Sequence, residues 1–260
     1  MLSFSLAFAS PFFLLALFPQ YLSKLPKSGS WLNSVKVIMG FLEIAAAFKF
    51  ISNVDLVWNW GVFDRNVVLF IWAIIFILMG LYLLGLIKMP FDSPIKKWSI
   101  VRIAFCSLFL FVGVYLGTGL FNNKLHGLIE SYLPPDKQEL WIENLDEGYI
   151  VSKELNKPIF IDFTGYTCTN CRWMEINIFE ENDVKDIFED FVLVKLYTDG
   201  KEDIHKKNRK LEIDRFGTAA LPYYVILSPN DKILGTFPGM DINKDNFINF
   251  LNSSKDKFEN

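Results

Sequence analysis

The stretch Pro158-Ile159-Phe160-Ile161-Asp162-Phe163-Thr164-Gly165-Tyr166-Thr167-Cys168-Thr169-Asn170-Cys171-Arg172 joins a strand pattern to a cysteine pair. Pro158 to Phe163 is an apolar run of strand length, broken only by Asp162. Cys168 opens a segment that reads as a helix as far as Phe179. A C-x-x-C after a strand and at a helix start lies where unpaired backbone N–H groups and the positive dipole end favour thiolate over thiol. The thiolate is the attacking species. The second thiol is one helical turn away and can resolve a mixed disulfide. Zinc sites also use this spacing, but they usually need four ligands, and His126 and His205 have no matching spacing. The third cysteine, Cys106, lies in an apolar run and reads as a buried, inert thiol.

Outward from this motif the elements alternate. Leu140 to Ile142 reads as a short strand, and Leu145–Leu155 as a helix closed by Asn156 and Pro158. Past the cysteines come a short helix over Asp183–Phe188, a strand over Phe191–Tyr197 and a helix over Glu202–Phe216 ended by Gly217. Tyr223–Leu227 and Lys232–Phe237 form a hairpin around Ser228-Pro229-Asn230-Asp231, and Asn243–Leu251 closes as a helix. This order predicts a mixed sheet covered by helices, an α/β domain over residues 138–260. Pro134-Pro135 marks residues 122–137 as a linker.

Residues 1–121 differ in kind. Four stretches have the length and apolarity of membrane spans, at about 2–22, 35–54, 67–87 and 100–121. The first lacks the positive n-region of a signal peptide. The fourth holds Gly113-x-x-x-Gly117, a spacing that permits close helix approach and that ordinary packing also explains. Lys24, Lys27 and Lys36, then Lys88, Lys96, Lys97 and Arg102, mark the first and third loops as cytoplasmic. The loop between them carries Asp55, Asp64 and Arg65. Both termini then face an oxidising, extracytoplasmic space. Glu43, near the middle of the second span, is either functional or turned into a polar bundle interior. The net charge of −3, without any Lys/Arg-rich run, gives no footprint for nucleic acid.

The soluble half resembles a thioredoxin-like domain. Cys168 and Cys171 fit its redox motif, Asp162 its buried strand acid, and Leu221-Pro222 the proline whose cis peptide faces the cysteines. The whole chain is similar to the C-terminal part of DsbD-type thiol:disulfide interchange proteins, the protein-disulfide reductases. Leu25-Pro26-Lys27-Ser28-Gly29-Ser30-Trp31 and Val35-Lys36 match that family's loop after its fifth span, and Glu175 its second active-site acid. The resemblance implies an inner-membrane protein with its C-terminal domain in the periplasm and a redox-active Cys168–Cys171 disulfide in place of any cofactor. It implies as partners extracytoplasmic thiol-disulfide proteins, a cysteine-bearing membrane relay domain and, upstream, cytoplasmic thioredoxin. It assigns Asp162 and Glu175 to proton movement at Cys171, and Pro222 to presenting backbone to the partner. The plainer alternatives are an exposed helix acid at Glu175, a structural strand acid at Asp162 and a proline that merely opens a strand at Pro222. The chain departs from the family in two ways. Four spans match the family's last four, without the relay cysteines or the N-terminal acceptor domain, as in a fragment, a split gene product or a shortened relative. Thr167, after Tyr166, also replaces the tryptophan that often precedes the first cysteine. Other readings are a membrane-anchored copper-binding module and a disulfide-donating oxidase.

Overall fold

The computed structural model describes Ser5, Leu6, Ala9, Ser10, Phe13, Leu17 and residues 30–90, 92, 98–121, 125, 128–134 and 141–259. Three described helices are long and apolar enough to cross a membrane: α1 (Ser30–Trp58), α2 (Arg65–Leu84) and α3 (Ile100–Thr118). The expected span at 2–22 lies almost wholly outside the described residues.

Sequence chemistry sets the ends and contacts of these helices. The Asp64 carboxylate caps α2 by accepting from the Val67 N–H at 2.8 Å. Asp55 and Arg65, read above as loop charges, belong to helices. Asp55 ends α1 buried, accepting from the Val62 and Phe63 N–H groups at 3.1 and 3.0 Å. Arg65 opens α2, where the helix dipole disfavours a cation. Glu130 offsets this with a buried ion pair at 2.5 Å. The Trp72 indole N–H ties α2 to α1 through the Ala45 carbonyl at 2.9 Å. Cys106 is buried, its sulfur 3.5 Å from the Gly80 carbonyl. Glu43 lies on the exposed face of α1, not in the interior formed by the described helices.

The stretch expected as a linker contains a short helix, α4 (Leu128–Tyr132). Glu130 of α4 also accepts from the Leu125 N–H at 2.9 Å, and Leu125 and Leu133 are buried in the apolar cluster formed with Val68, Leu69 and Leu116. Hydrophobic burial and one ion pair therefore dock this segment on the ends of the spans.

The second half follows the expected order: α5 (Leu145–Leu155), β1 (Ile159–Thr164), α6 (Thr169–Asn177), α7 (Asn182–Phe188), β2 (Val192–Tyr197), α8 (Asp203–Phe216), β3 (Tyr223–Leu227), β4 (Ile233–Pro238) and α9 (Lys244–Glu259). The sheet order is β2-β1-β3-β4. β1 and β2 are parallel, and β3 is antiparallel to β1 and β4. The short strand expected at 140–142 is a single parallel bridge, Ile142 with Val194, on the edge of β2. Helix α9 runs past its expected end at Leu251 because Phe247, Phe250, Leu251, Ser254 and Phe258 keep one face on the core.

Strand alternation divides the core. Ile159, Ile161 and Phe163 of β1, with Val192, Val194 and Leu196 of β2, face α5 and α8. Phe160 faces the other way, into the aromatic cluster of Phe179, Phe188, Tyr224 and Phe247 beneath α6, α7 and α9. By the same period Asp162 must point toward α6.

Candidate active site

Cys168 is the N-cap of α6, and its sulfur accepts from the Cys171 N–H at 3.2 Å. The two sulfurs are joined in a disulfide of 2.03 Å. Cys168 is half-buried, whereas Cys171 is wholly buried. Only the first can meet a partner without rearrangement.

Asp199, just past β2, fixes the loop before the pair. Its carboxylate accepts from the Tyr166 N–H at 2.8 Å, the Thr167 N–H at 3.1 Å and the Thr167 hydroxyl at 3.1 Å. A side chain at Gly165 would put its Cβ 2.8 Å from Asp199 Oδ2, so this loop needs glycine there. The Tyr166 ring stacks on Tyr197, and its hydroxyl lies 3.3 Å from His205 Nε2.

Behind Cys171 lies a buried charged cluster that the strand registers bring together. Asp162 pairs with Lys195 on one side and with Tyr224 on the other, so three polar side chains form a row on the α6 face. Glu175, one turn along α6 from Cys171, completes it. Glu175 meets Arg172 at 2.5 Å and Lys195 at 3.1 Å. The Arg172 guanidinium also donates to the Thr164 hydroxyl at 3.0 Å. Lys195 lies over the Trp141 ring. All of Asp162, Arg172, Glu175 and Lys195 are buried. Such charges persist only when paired.

Asp162 has no hydrogen-bond donor within reach of either oxygen. Burial first, and then the Glu175 carboxylate, raise its pKa to about 7 against the pull of Lys195 and Arg172. The approach of Asp162 to Glu175 is a hydrogen bond only when the two share a proton. Burial, together with Asp162 and Glu175, also holds the Tyr224 phenol protonated. Asp162 can therefore hold a proton up to about neutral pH.

The Leu221–Pro222 peptide is cis. Pro222 is buried immediately before β3, and its carbonyl accepts from Gly239 N–H at 2.8 Å. The structure thus brings Asp162 and Glu175 together beneath α6, while Pro222 lies at the β3 end of the same domain. Sequence reasoning did not single out Arg172, Lys195, Tyr224 or Asp199. Lys195 carried a legible signal, since it interrupts an apolar strand as Asp162 does. Arg172 carried none, because a cation after a C-x-x-C normally reads as solvated. Among the described residues no three His, Cys, Asp or Glu side chains cluster as a metal site would require.

Residues 140–229 match the thioredoxin-like family model. A "Thiol:disulfide interchange protein DsbD" from Campylobacter jejuni is 24% identical over 220 residues, which are 84% of this chain and 37% of that protein. The chain resembles the C-terminal part of a DsbD-type protein. The protein of that name from Ralstonia nicotianae is 24% identical over 193 residues, covering 69% of this chain and 30% of its own length. This chain therefore spans about a third of the length of the DsbD proteins it matches. Among solved structures, the oxidised C-terminal domain of Neisseria meningitidis DsbD aligns with 44% of this chain and 98% of its own. Its TM-score is 0.37 and its identity 16%. A Thermus thermophilus thioredoxin covers 46% of this chain and 91% of its own, with TM-score 0.41 and identity 18%. The chain thus joins three described helices long and apolar enough to cross a membrane to a domain that matches the thioredoxin-like family model and carries the Cys168–Cys171 disulfide.

Proposed function

We propose that the chain is a membrane-anchored protein-disulfide reductase that delivers electrons to extracytoplasmic disulfides. One observation carries this reading: Cys168 is partly exposed at the start of α6, while Cys171, one turn from Glu175 on the same helix, is wholly buried.

In the reduced protein the Cys168 thiolate attacks one sulfur of a partner disulfide. The partner's other sulfur leaves as a thiolate and takes a proton. Cys171 then gives its proton to Asp162 and attacks the Cys168 sulfur. The mixed disulfide breaks, the second partner sulfur leaves as a thiolate, and the Cys168–Cys171 disulfide forms. Two electrons pass to the partner, and two protons follow. Glu175, paired with Arg172 and Lys195, supports Asp162 in that transfer. Pro222 presents backbone to the bound partner segment.

The oxidised pair needs an electron source. The resemblance supplies one in a cysteine-bearing membrane relay domain fed by cytoplasmic thioredoxin. Residues 1–121 would hold the domain of residues 138–260, through residues 122–137, on the periplasmic side of the inner membrane. The loop charges support that orientation. Targets of this class include disulfide isomerases and cytochrome c maturation factors.

The test is insulin reduction and redox titration of the full chain in detergent, with Cys168→Ser as control. The wild type reduces insulin and the variant does not. Absence of exchange activity that depends on Cys168 sinks the reading. Stoichiometric copper on unreactive thiols would instead identify a binding module. A potential near about −120 mV would identify a disulfide donor.

A further inference from the structure

Arg172 directly follows Cys171, yet its guanidinium is almost entirely buried. Burying it is costly unless its neighbours repay the loss of water. It touches three elements. On its own helix it meets Glu175 at 2.5 Å, and on β1 it donates to Thr164, the strand's last residue, at 3.0 Å. From β2 it faces Tyr197, and from farther along β1 it faces Asp162. The other ionisable groups around it are Lys195 of β2, Tyr224 of β3 and Lys49 of α1. The guanidinium thus links the first turn of the cysteine helix to the strand end from which the cysteine loop departs.

The cluster holds two carboxylates and two cations, with unequal sharing. Glu175 contacts both Arg172 and Lys195. Asp162 has no donor on either oxygen. A proton arriving at this site therefore displaces two ion-pair contacts if it settles on Glu175, and none if it settles on Asp162. We propose that Arg172 is a positioning residue for disulfide exchange: it clamps Glu175 to the end of β1 and so reserves Asp162 as the proton acceptor for Cys171. This rests on the reductase reading above and names how its acid pair is divided.

The consequence has a definite sign. Without Arg172 the acid pair loses one of its two cations and keeps its proton to higher pH. Resolution by Cys171, which needs an empty acceptor, then moves to higher pH. Without the charge on Glu175, Asp162 keeps both cations and loses a repelling neighbour, so resolution moves to lower pH.

The experiment follows the reduced full-length chain in detergent reacting with one equivalent of 4,4′-dithiodipyridine. A first burst of thiopyridone reports attack by Cys168, and a second reports resolution by Cys171. Arg172→Met should move the acid limb of the second phase up by about one pH unit, slowing it about tenfold at neutral pH. Arg172→Lys, which keeps the charge, should restore most of that loss. Glu175→Gln should move the limb down, and in that background Arg172→Met should change the second phase by less than about twofold. An unchanged second phase in Arg172→Met overturns the proposal. So does an undiminished Arg172→Met effect in the Glu175→Gln background. If Arg172→Met does not fold, the direction of the Glu175→Gln shift decides alone, and an upward shift refutes the clamp. Failure of the wild type to release any thiopyridone counts against the reductase reading itself.

Discussion

Asp162 concentrates the residue-scale physics of this protein. A carboxyl held neutral to about pH 7 in the fold ionises near 3.9 in an unfolded chain. Between those values the folded state binds more protons, so this group's contribution to stability falls as pH rises. Above about pH 7 the fold bears the full cost of a buried charge. Asp162→Asn should therefore raise the unfolding midpoint of the full chain at pH 8, by a gain on the order of 2–4 kcal/mol that shrinks toward pH 5. Thermal melts at the two pH values check this, and an equal gain at both would contradict it. The same variant should slow the second thiopyridone phase, because stability and proton transfer make opposite demands on one carboxyl. Asp162 was legible in the sequence as the one charge in an apolar run. Its partners were less so. Lys195 and Tyr224 join it only through strand register, which places residues distant in sequence side by side.

Close approach dominates at the scale of elements. Gly113 and Gly117 have the spacing of a helix-packing motif, but they do not share a role. A Cβ at Gly113 would come within 2.8 Å of Ile77 Cγ1 and 3.0 Å of the Ile77 backbone nitrogen. One at Gly117 would meet nothing within 4 Å. Gly113→Leu should therefore push α2 and α3 apart and destabilise the spans by about 1–3 kcal/mol or more, whereas Gly117→Leu should be nearly silent. The thermal stability of both variants in detergent reads the contrast, and equal effects would refute it. The C-terminal helix teaches a related lesson. Its last residues look polar along the sequence, but Ser254 folds its hydroxyl back to the Phe250 carbonyl at 2.8 Å and Phe258 packs on the core. A helical face carried by a serine and one phenylalanine is faint until the sheet beneath it is known.

At the scale of the whole molecule, the question is how the redox domain is attached to its spans. Helix α4 packs against α6, the helix that begins at the cysteines, and Lys201 beyond β2 sits over the Trp58 ring at the end of α1. The Arg65–Glu130 ion pair fastens α4 to α2. Removing one partner of a buried pair costs about 3–5 kcal/mol. Glu130→Ala should thus loosen residues 128–134 and speed cleavage there in limited proteolysis of the full chain, leaving the cores of both halves intact. Cleavage at the wild-type rate would show that the ion pair does not hold this segment. Pro134-Pro135 made this stretch read as a plain linker. The apolar residues that dock it, Leu125, Ile129 and Leu133, become meaningful only beside Val68, Leu69 and Leu116.

The sequence by itself determined the division into an apolar helical half and an α/β half, the position of the cysteine pair at a strand-to-helix turn, and the oddity of Asp162. These follow from local rules: hydrophobic length, alternation with period two, and helix-capping chemistry. Tertiary structure decided which charges share one site, which glycine lies in a helix contact, and that Arg172 is buried rather than solvated. Each depends on surfaces brought together across dozens of residues. The energy of a charge is set by those neighbours and by its distance from water.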